Sequence, residues 1–469
     1  MQEFLTDALF FEIVYPLAKL ILIDMKNPFT PPPAIEPLPP EKVNSAYKSL
    51  RLKVFMGIFI GYAGFYLIRK IFSFAMPYLE KEGFDKGDLG LALSAIAYSY
   101  GLSKFLMGSV SDRSNARTFL PFGLAVSALL IIGFGLFSTL TSTIFAMACV
   151  LFAFGWFQGM GWPPCGRVMV HWFSTNERGL KMSIWNVAHN VGGLIMPYLV
   201  ILGMYLFSDN WRTGIFVFPA VITLSVALIA WLLIRDTPQS CGLPPIEVFR
   251  NDFSRKYSAE DEKEFSTREI FMEHVLNNKA LWAIAIANAF VYFVRYGILD
   301  WAPLYLQNVK DFNFSKSGFA YFGFELAGII GTILCGWISD KIFKGKRAPV
   351  NAIFMALTAI AIVVYWLNPK GCPMIDMVAL FAIGFLIYGP VMLIGLQALD
   401  MVSKKAAGTA AGFTGFFGYF LGTATLANLG MGYVTEHLGW NWSFAIIIGA
   451  CVITILIMIK CSIDEHKQA

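Results

Sequence analysis

Two arginines inside apolar stretches are the residues of this chain most able to do chemistry. Arg69 lies near the middle of the apolar stretch 54–76, and Arg295 takes the matching place in a second stretch. An arginine at mid-bilayer costs roughly 2.5 to 3.5 kcal/mol on insertion scales, and its guanidinium stays charged. The pair therefore predicts a site for an anion, and a structural ion pair with Asp300 or Glu325 is the alternative.

Hydroxyl and amide side chains accompany both arginines at helical spacing. The two sets are Tyr62, Tyr66 and Arg69 in one stretch and Asn288, Tyr292 and Arg295 in the other. In each set the spacing i, i+4, i+7 puts three side chains on one face of a helix. The fork of donors on an arginine suits two oxygens of a phosphate, and neighbouring hydroxyls can hold the others. A phosphate between the two arginines is the specific prediction.

Two further residues could join this site. Lys104 lies one turn after Tyr100 and would raise the positive potential around the anion. His189 lies three residues after Asn186, so both share a helical face and could bind the same ligand. A packed core histidine is the alternative for His189.

The composition decides what kind of element carries these residues. Hydrophobic residues fill 57% of the 469 positions and charged residues only 14%, with a mean hydropathy of +0.61. This excludes a water-soluble globule, and apolar stretches of roughly 20 residues predict membrane-spanning helices, hence an all-α membrane protein in a lipid bilayer. The net charge of +5 is not gathered in a basic tract, so nucleic acid is not expected as a partner. The seven cysteines form no CxxC pair, and no metal, cofactor or enzymatic activity is expected.

Twelve spans follow from the lengths of the apolar stretches and from their Pro, Gly and charge breaks. They are 52–76, 89–110, 118–137, 142–166, 180–206, 212–234, 280–306, 316–338, 349–367, 374–399, 406–432 and 440–461. The polar segment 235–279 separates the sixth span from the seventh. We therefore expect two six-helix bundles, 51–234 and 280–469, joined by this linker.

The charges in the loops predict the orientation of the chain. Lys and Arg gather in short loops on one side, for example Lys404 and Lys405, so that side, the linker and both termini are expected in the cytoplasm. Residues 1–50 form an N-terminal extension. An interfacial helix over 8–23 followed by a Pro-rich tether is one interpretation of it, and a disordered extension is the other.

A repeated loop supports two related halves. The loop residues Gly108, Asp112 and Arg113 match Gly336, Asp340 and Lys341. The loops are offset by 336 − 108 = 228 residues, and the arginines by 295 − 69 = 226. Six-helix halves with the substrate between them characterise major facilitator transporters, and the G-x-x-x-D-[RK] loop resembles that superfamily's signature.

Longer motifs resemble one family within that superfamily, the organophosphate:phosphate antiporters. The segments that carry the resemblance are 57–70, 104–113, 155–167 and 295–301. The resemblance implies a carrier, expected as a monomer in the bacterial inner membrane, that exchanges external glycerol-3-phosphate for internal inorganic phosphate by alternating access. A hexose-phosphate carrier or a phosphate-ester sensor is the alternative. Segment 418–424 lacks the acid and the lysine that similar hexose-phosphate carriers have there, which favours a small glycerol moiety.

The resemblance also implies roles for individual residues. Arg69 and Arg295 would bind phosphate. The residues that would line the site with them are Lys104, His189, Tyr62, Tyr66, Tyr100, Asn186, Tyr292, Tyr388 and Tyr419. Lys70, Asp300 and Glu325 would form salt bridges that gate the halves, and plain structural pairs are the alternative for the two acids.

Overall fold

The computed structural model describes residues 29–112, 114–207, 210–251, 276–343, 345–401 and 407–468. Within them the chain forms twelve long helical segments, each made of one to three pieces. The first six are α1 (Pro40–Ile68 and Ile71–Lys81), α2 (Lys86–Asp112), α3 (Ala116–Leu136), α4 (Ile144–Gln158 and Trp162–Trp172), α5 (Thr175–Asn186 and Ala188–Leu206) and α6 (Thr213–Val217 and Phe218–Leu233). They form the first half of the molecule.

The second half repeats this arrangement. Its segments are α7 (Lys279–Leu299 and Ala302–Asn308), α8 (Phe314–Trp337 and Ile338–Ile342), α9 (Arg347–Leu367), α10 (Pro373–Asp400), α11 (Ala407–Phe416, Phe417–Gly430 and Met431–His437) and α12 (Trp440–Gln468). Ten of the twelve segments within the described residues are long and apolar enough to cross a membrane. The other two, α2 and α11, have a lower apolar content because glycine, serine and threonine fill many of their positions.

Two glycines bring out the symmetry of the halves. A Cβ atom on Gly192 in α5 would lie 2.2 Å from the carbonyl oxygen of Ala63 in α1. A Cβ atom on Gly422 in α11 would lie at the same distance, 2.2 Å, from the carbonyl oxygen of Ala289 in α7. Only glycine permits such close contact between helix backbones. The pairs α1 with α5 and α7 with α11 are therefore equivalent, and each pair holds one of the two arginines.

Four predicted spans are interrupted in the structure, and one of them is α5, whose two pieces are separated at Val187. Helix α1 breaks at Lys70, whose φ of −109° and ψ of 12° are not helical. Helix α7 breaks at Asp300 and Trp301, and α4 breaks after Gln158. Prolines at the start of the second pieces of α7 and α4 fit these breaks, because proline is tolerated in the first helical turn. The α1 break has no such signal, and it lies beside Arg69.

The halves pack closely at the end away from the linker. The ring of Phe74 in α1 lies 5.3 Å from that of Tyr321 in α8. A Cβ atom on Gly90 in α2 would lie 3.0 Å from the Cα atom of Gly432 in α11. Farther from this end, at the same interface, Tyr98 of α2 shares a hydrogen bond with Thr425 of α11, at 2.9 Å. The path from this end to the arginines is therefore closed in this conformation.

The N-terminal extension differs from the expectation. Helix α1 begins at Pro40, so residues 40–50 continue the first helix instead of preceding it. The tether before it pairs with the start of the linker, where Ile35 donates to the Gln239 carbonyl at 3.1 Å and Leu38 donates to the Gly242 carbonyl at 2.9 Å. The predicted helix over 8–23 lies outside the described residues.

Candidate anion-binding site between the halves

Arg69 is held by neutral groups at the break in α1. Its Nε donates to the side-chain oxygen of Gln158 at 3.0 Å, and Nη1 donates to the Tyr66 hydroxyl at 2.8 Å. The guanidinium also lies 4.2 Å from the ring centre of Tyr66 and 4.4 Å from that of Tyr100. Arg69 is only 8% exposed. Its charge is therefore shared with an amide and aromatic rings, which orient the guanidinium but do not neutralise it.

Arg295 is tied to an acid through a phenol. Its Nη2 donates to the Tyr388 hydroxyl at 2.7 Å, and that hydroxyl donates to Glu325 Oε2 at 2.5 Å. The Nε of Arg295 is buried and has no acceptor. Glu325 lies against Gly193 of α5, where a Cβ atom would be 3.3 Å from the carboxyl carbon. The arrangement leaves one guanidinium donor free, and it puts Glu325 at the interface with the first half.

Lys70 and Asp300 join the two helix breaks across the interface. Lys70 Nζ lies 2.7 Å from Asp300 Oδ2 and 4.0 Å from the ring centre of Tyr296. Asp300 is fully buried, and its Oδ1 has no partner. Because Lys70 belongs to the first half and Asp300 to the second, the halves cannot separate here while this ion pair is intact.

A chain of tyrosines connects the surroundings of the two arginines. The ring of Tyr419 in α11 lies 4.8 Å from that of Tyr100 and 5.2 Å from that of Tyr292. Tyr292 lies 5.8 Å from Tyr296, whose ring faces the Arg295 guanidinium at 4.8 Å. The predicted residues Tyr100, Tyr292 and Tyr419 thus come together although α2, α7 and α11 are far apart in the chain.

The remaining predicted residues differ in their burial and in their contacts with these tyrosines. Lys104 Nζ lies 5.4 Å from the Tyr419 ring centre. His189 is half-buried and packs 5.4 Å from the Tyr66 ring. Tyr62 is buried, with its ring 4.7 Å from that of Trp185. Asn186 ends the first piece of α5 and is exposed, on the linker side of His189.

The predicted conformational loops lie away from the arginines, at the linker-side ends of α2 and α8. Gly108 is in the last turns of α2, and Gly336 takes the equivalent place in α8. Lys341 is exposed in the short final piece of α8. Arg113 and the side chains of Asp112 and Asp340 lie outside the described residues.

Sequence reasoning missed two residues of the site. Gln158 holds Arg69, and Tyr296 touches both Lys70 and Arg295. A signal existed for each, because Gln158 is a polar residue within an apolar span and Tyr296 directly follows Arg295.

Comparison with known proteins identifies the family of the chain. Residues 58–427 match the model of the Major Facilitator Superfamily. A glycerol-3-phosphate transporter of Bacillus subtilis strain 168 is 57% identical over 434 residues, covering 92% of this chain and 97% of its own length. A glycerol-3-phosphate transporter of Haemophilus influenzae is 48% identical, covering 95% of this chain and 98% of its own length.

A solved structure extends the comparison to the fold. A bacterial homolog of the human lysosomal transporter Spinster, in an inward-facing and occupied conformation, superposes with a TM-score of 0.69 at 16% identity, covering 90% of this chain and 97% of that chain. At such low identity the likeness concerns the fold alone. The predicted all-α, multi-pass membrane fold of a transporter, rather than an enzyme, is confirmed. The chain therefore belongs to the Major Facilitator Superfamily and, within it, to the organophosphate:phosphate antiporter family.

Proposed function

We propose that the protein imports glycerol-3-phosphate in exchange for inorganic phosphate, with the phosphate group held between Arg69 and Arg295. One observation carries this proposal. Each half brings one buried guanidinium to the interface, and in the described part of the chain neither lies at salt-bridge distance from a carboxylate. Buried charge of this kind is costly unless a ligand neutralises it. A phosphate dianion would supply the missing negative charge.

The donors around the arginines suit a phosphate group. Arg295 keeps its Nε without an acceptor, and Lys104 adds a third positive charge nearby. A phosphate that reached Arg295 would compete with Tyr388 for the guanidinium, because Tyr388 now accepts from Nη2. Tyr388 would keep its bond to Glu325. In the proposed cycle, substrate binding thus loosens the tie between Arg295 and Glu325.

The Lys70–Asp300 ion pair fits a gate in the same cycle. It joins α1 to α7 beside the closed end of the interface. Opening that end requires the pair to break, and a buried pair breaks at a cost of several kcal/mol unless other groups take its place. Substrate negative charge near Lys70 would lower this cost, so we propose that Lys70 and Asp300 gate the end away from the linker.

The choice of glycerol-3-phosphate rests on the relatives. The two transporters at 57% and 48% identity are both named for this substrate. The absence of an acid and a lysine from segment 418–424 also favours an uncharged, small organic moiety. We place the carrier in the inner membrane as a monomer, since one chain supplies both halves of the site, and both termini in the cytoplasm.

Counterflow in liposomes tests the function directly. Purified protein in vesicles loaded with phosphate should take up labelled glycerol-3-phosphate, and uptake should stop when internal phosphate is left out. Binding of glycerol-3-phosphate without counterflow would indicate a sensor instead. Faster exchange with glucose-6-phosphate than with glycerol-3-phosphate would identify a hexose-phosphate carrier.

A further inference from the structure

A small cavity lies beside Arg69, toward the closed end of the interface. It is bounded by α1, α2, α4, α7 and α11. The residues of its wall that matter here are Arg69, Tyr100, Gln158, Asp300, Tyr419 and Asn428. Arg69, Tyr100 and Tyr419 also belong to the site described above. The cavity therefore adjoins the place proposed for the phosphate.

Three buried polar atoms of this wall have no hydrogen-bond partner. They are Gln158 Nε2, Asp300 Oδ1 and Asn428 Oδ1. Their residues are 1%, 0% and 2% exposed, and they come from three different helical segments. A buried polar atom without a partner costs about 1 to 3 kcal/mol, and such atoms are rare in folded proteins. Three of them around one cavity indicate a group that they are arranged to hold.

Two other polar groups of the wall already have partners. Thr423 donates to the Gly418 carbonyl at 3.2 Å, and Lys70 is paired with Asp300 Oδ2 at 2.7 Å. The unpaired set thus consists of one donor, the amide of Gln158, and two acceptors, the oxygens of Asp300 and Asn428.

This set matches hydroxyl groups and not phosphate. The oxygens of a phosphate dianion accept hydrogen bonds but have none to donate, so they would meet the carboxylate of Asp300 unfavourably. A hydroxyl group can donate to Asp300 or Asn428 and accept from Gln158 at the same time. Arg69, at the edge of the cavity, supplies the charge that a neighbouring phosphate needs.

We propose that this cavity is the subsite for the hydroxyl groups of a polyol phosphate, whose phosphate group lies against Arg69. The proposal rests on the exchange function proposed above and adds the residues that recognise the organic moiety. Gln158 and Asn428 would distinguish a phosphate ester that carries hydroxyl groups from one of the same length without them. A site that must bond hydroxyl groups rejects analogues lacking them, because its own polar atoms are then left unpaired.

The test compares two substrates in two proteins. Exchange of internal phosphate is measured against glycerol-3-phosphate and against n-propyl phosphate, which has the same chain length and no hydroxyl groups. The variant Asn428→Leu keeps a similar side-chain volume and removes the polar atoms of the amide. Wild-type protein should exchange glycerol-3-phosphate faster than n-propyl phosphate. In the variant the ratio of the two exchange rates should be about tenfold smaller, equivalent to 1.4 kcal/mol. Phosphate:phosphate exchange should change less than twofold.

A neighbouring substitution provides the matched control. Thr423→Val alters the same wall at a hydroxyl that is already bonded within its own helix, so the substrate preference should stay. If Asn428→Leu slowed exchange equally with both esters, or changed exchange with neither, the proposal would be overturned. The cavity would then be a site for buried water only. If that variant is inactive in phosphate:phosphate exchange, Asn428→Ala is measured in the same way. An unchanged preference of Asn428→Ala for glycerol-3-phosphate over n-propyl phosphate would also overturn the proposal. Wild-type protein that exchanges neither ester would refute the proposed function instead.

Discussion

Replacing Arg69 with lysine would keep the positive charge and remove the planar fork of donors. Arg69 now uses Nε for the Gln158 side chain, Nη1 for Tyr66 and Nη2, at 3.5 Å, for the Gln158 carbonyl, so its guanidinium is held in a fixed direction. One ammonium cannot hold these two groups and also bind two phosphate oxygens. Loss of one charge-assisted hydrogen bond costs about 1.5 to 3 kcal/mol. We therefore expect phosphate to bind roughly 10- to 150-fold more weakly to Arg69→Lys.

The measurement is the phosphate concentration that half-saturates phosphate:phosphate exchange in liposomes. Arg117→Lys is the control, because Arg117 is a half-buried arginine of the same half that stacks 4.7 Å from the Trp231 ring, outside the site. Near-normal affinity in Arg69→Lys would refute a clamp built from two guanidinium groups. An equal loss in Arg117→Lys would assign the effect to damage of the fold.

Three further perturbations address the relay, the ionic state of the substrate and the helix contacts. Tyr388→Phe removes the hydroxyl between Arg295 and Glu325 and should slow exchange about tenfold. The reason is that a buried acid loses its hydrogen-bond donor, which costs about 1 to 3 kcal/mol. Unchanged exchange rates would show that this hydroxyl is dispensable. The affinity for glycerol-3-phosphate should fall as the pH drops from 7.5 to 5.5, because the dianion of a phosphate ester gains a proton near a pKa of about 6, and a flat profile would contradict selection of the dianion. Gly192→Val should lower thermal stability in detergent, since its Cβ would lie 2.2 Å from a carbonyl oxygen of α1, whereas Gly412→Val, with open space around it, should not.

The charged residues of the candidate site could be picked out from the sequence, because a charge inside an apolar stretch is visible in the sequence itself. Arg69, Arg295 and Asp300 stand out in this way, and the tyrosines follow from helical spacing. Gln158 could not be assigned in the same way. A neutral amide within a span has several structural explanations, and its partner Arg69 lies 89 residues away in the chain. Only the packing of α4 against α1 gives Gln158 its role.

The interruptions of the helices were predictable where they have a local cause. Pro303 follows the break in α7, and proline at a helix start is a sequence signal. The break at Lys70 has no local cause, because neither glycine nor proline is near it. Its side chain reaches Asp300, which is 230 residues away, across the interface of the halves. A conformation fixed by such a distant partner cannot be derived from helix propensity.

Charge balance explains why the two arginines would favour exchange over one-way transport. The charged side chains around the site are Arg69, Lys70, Lys104, Arg295, Asp300 and Glu325. With both acids ionised, two positive charges have no counter-charge in the empty site, and either a phosphate dianion or a phosphate ester dianion supplies it. A conformation closed at both ends would bury these charges, at several kcal/mol for each one left unpaired. The empty carrier would then change conformation far more slowly than the loaded one. Each inward movement of the ester would thus require an outward movement of phosphate.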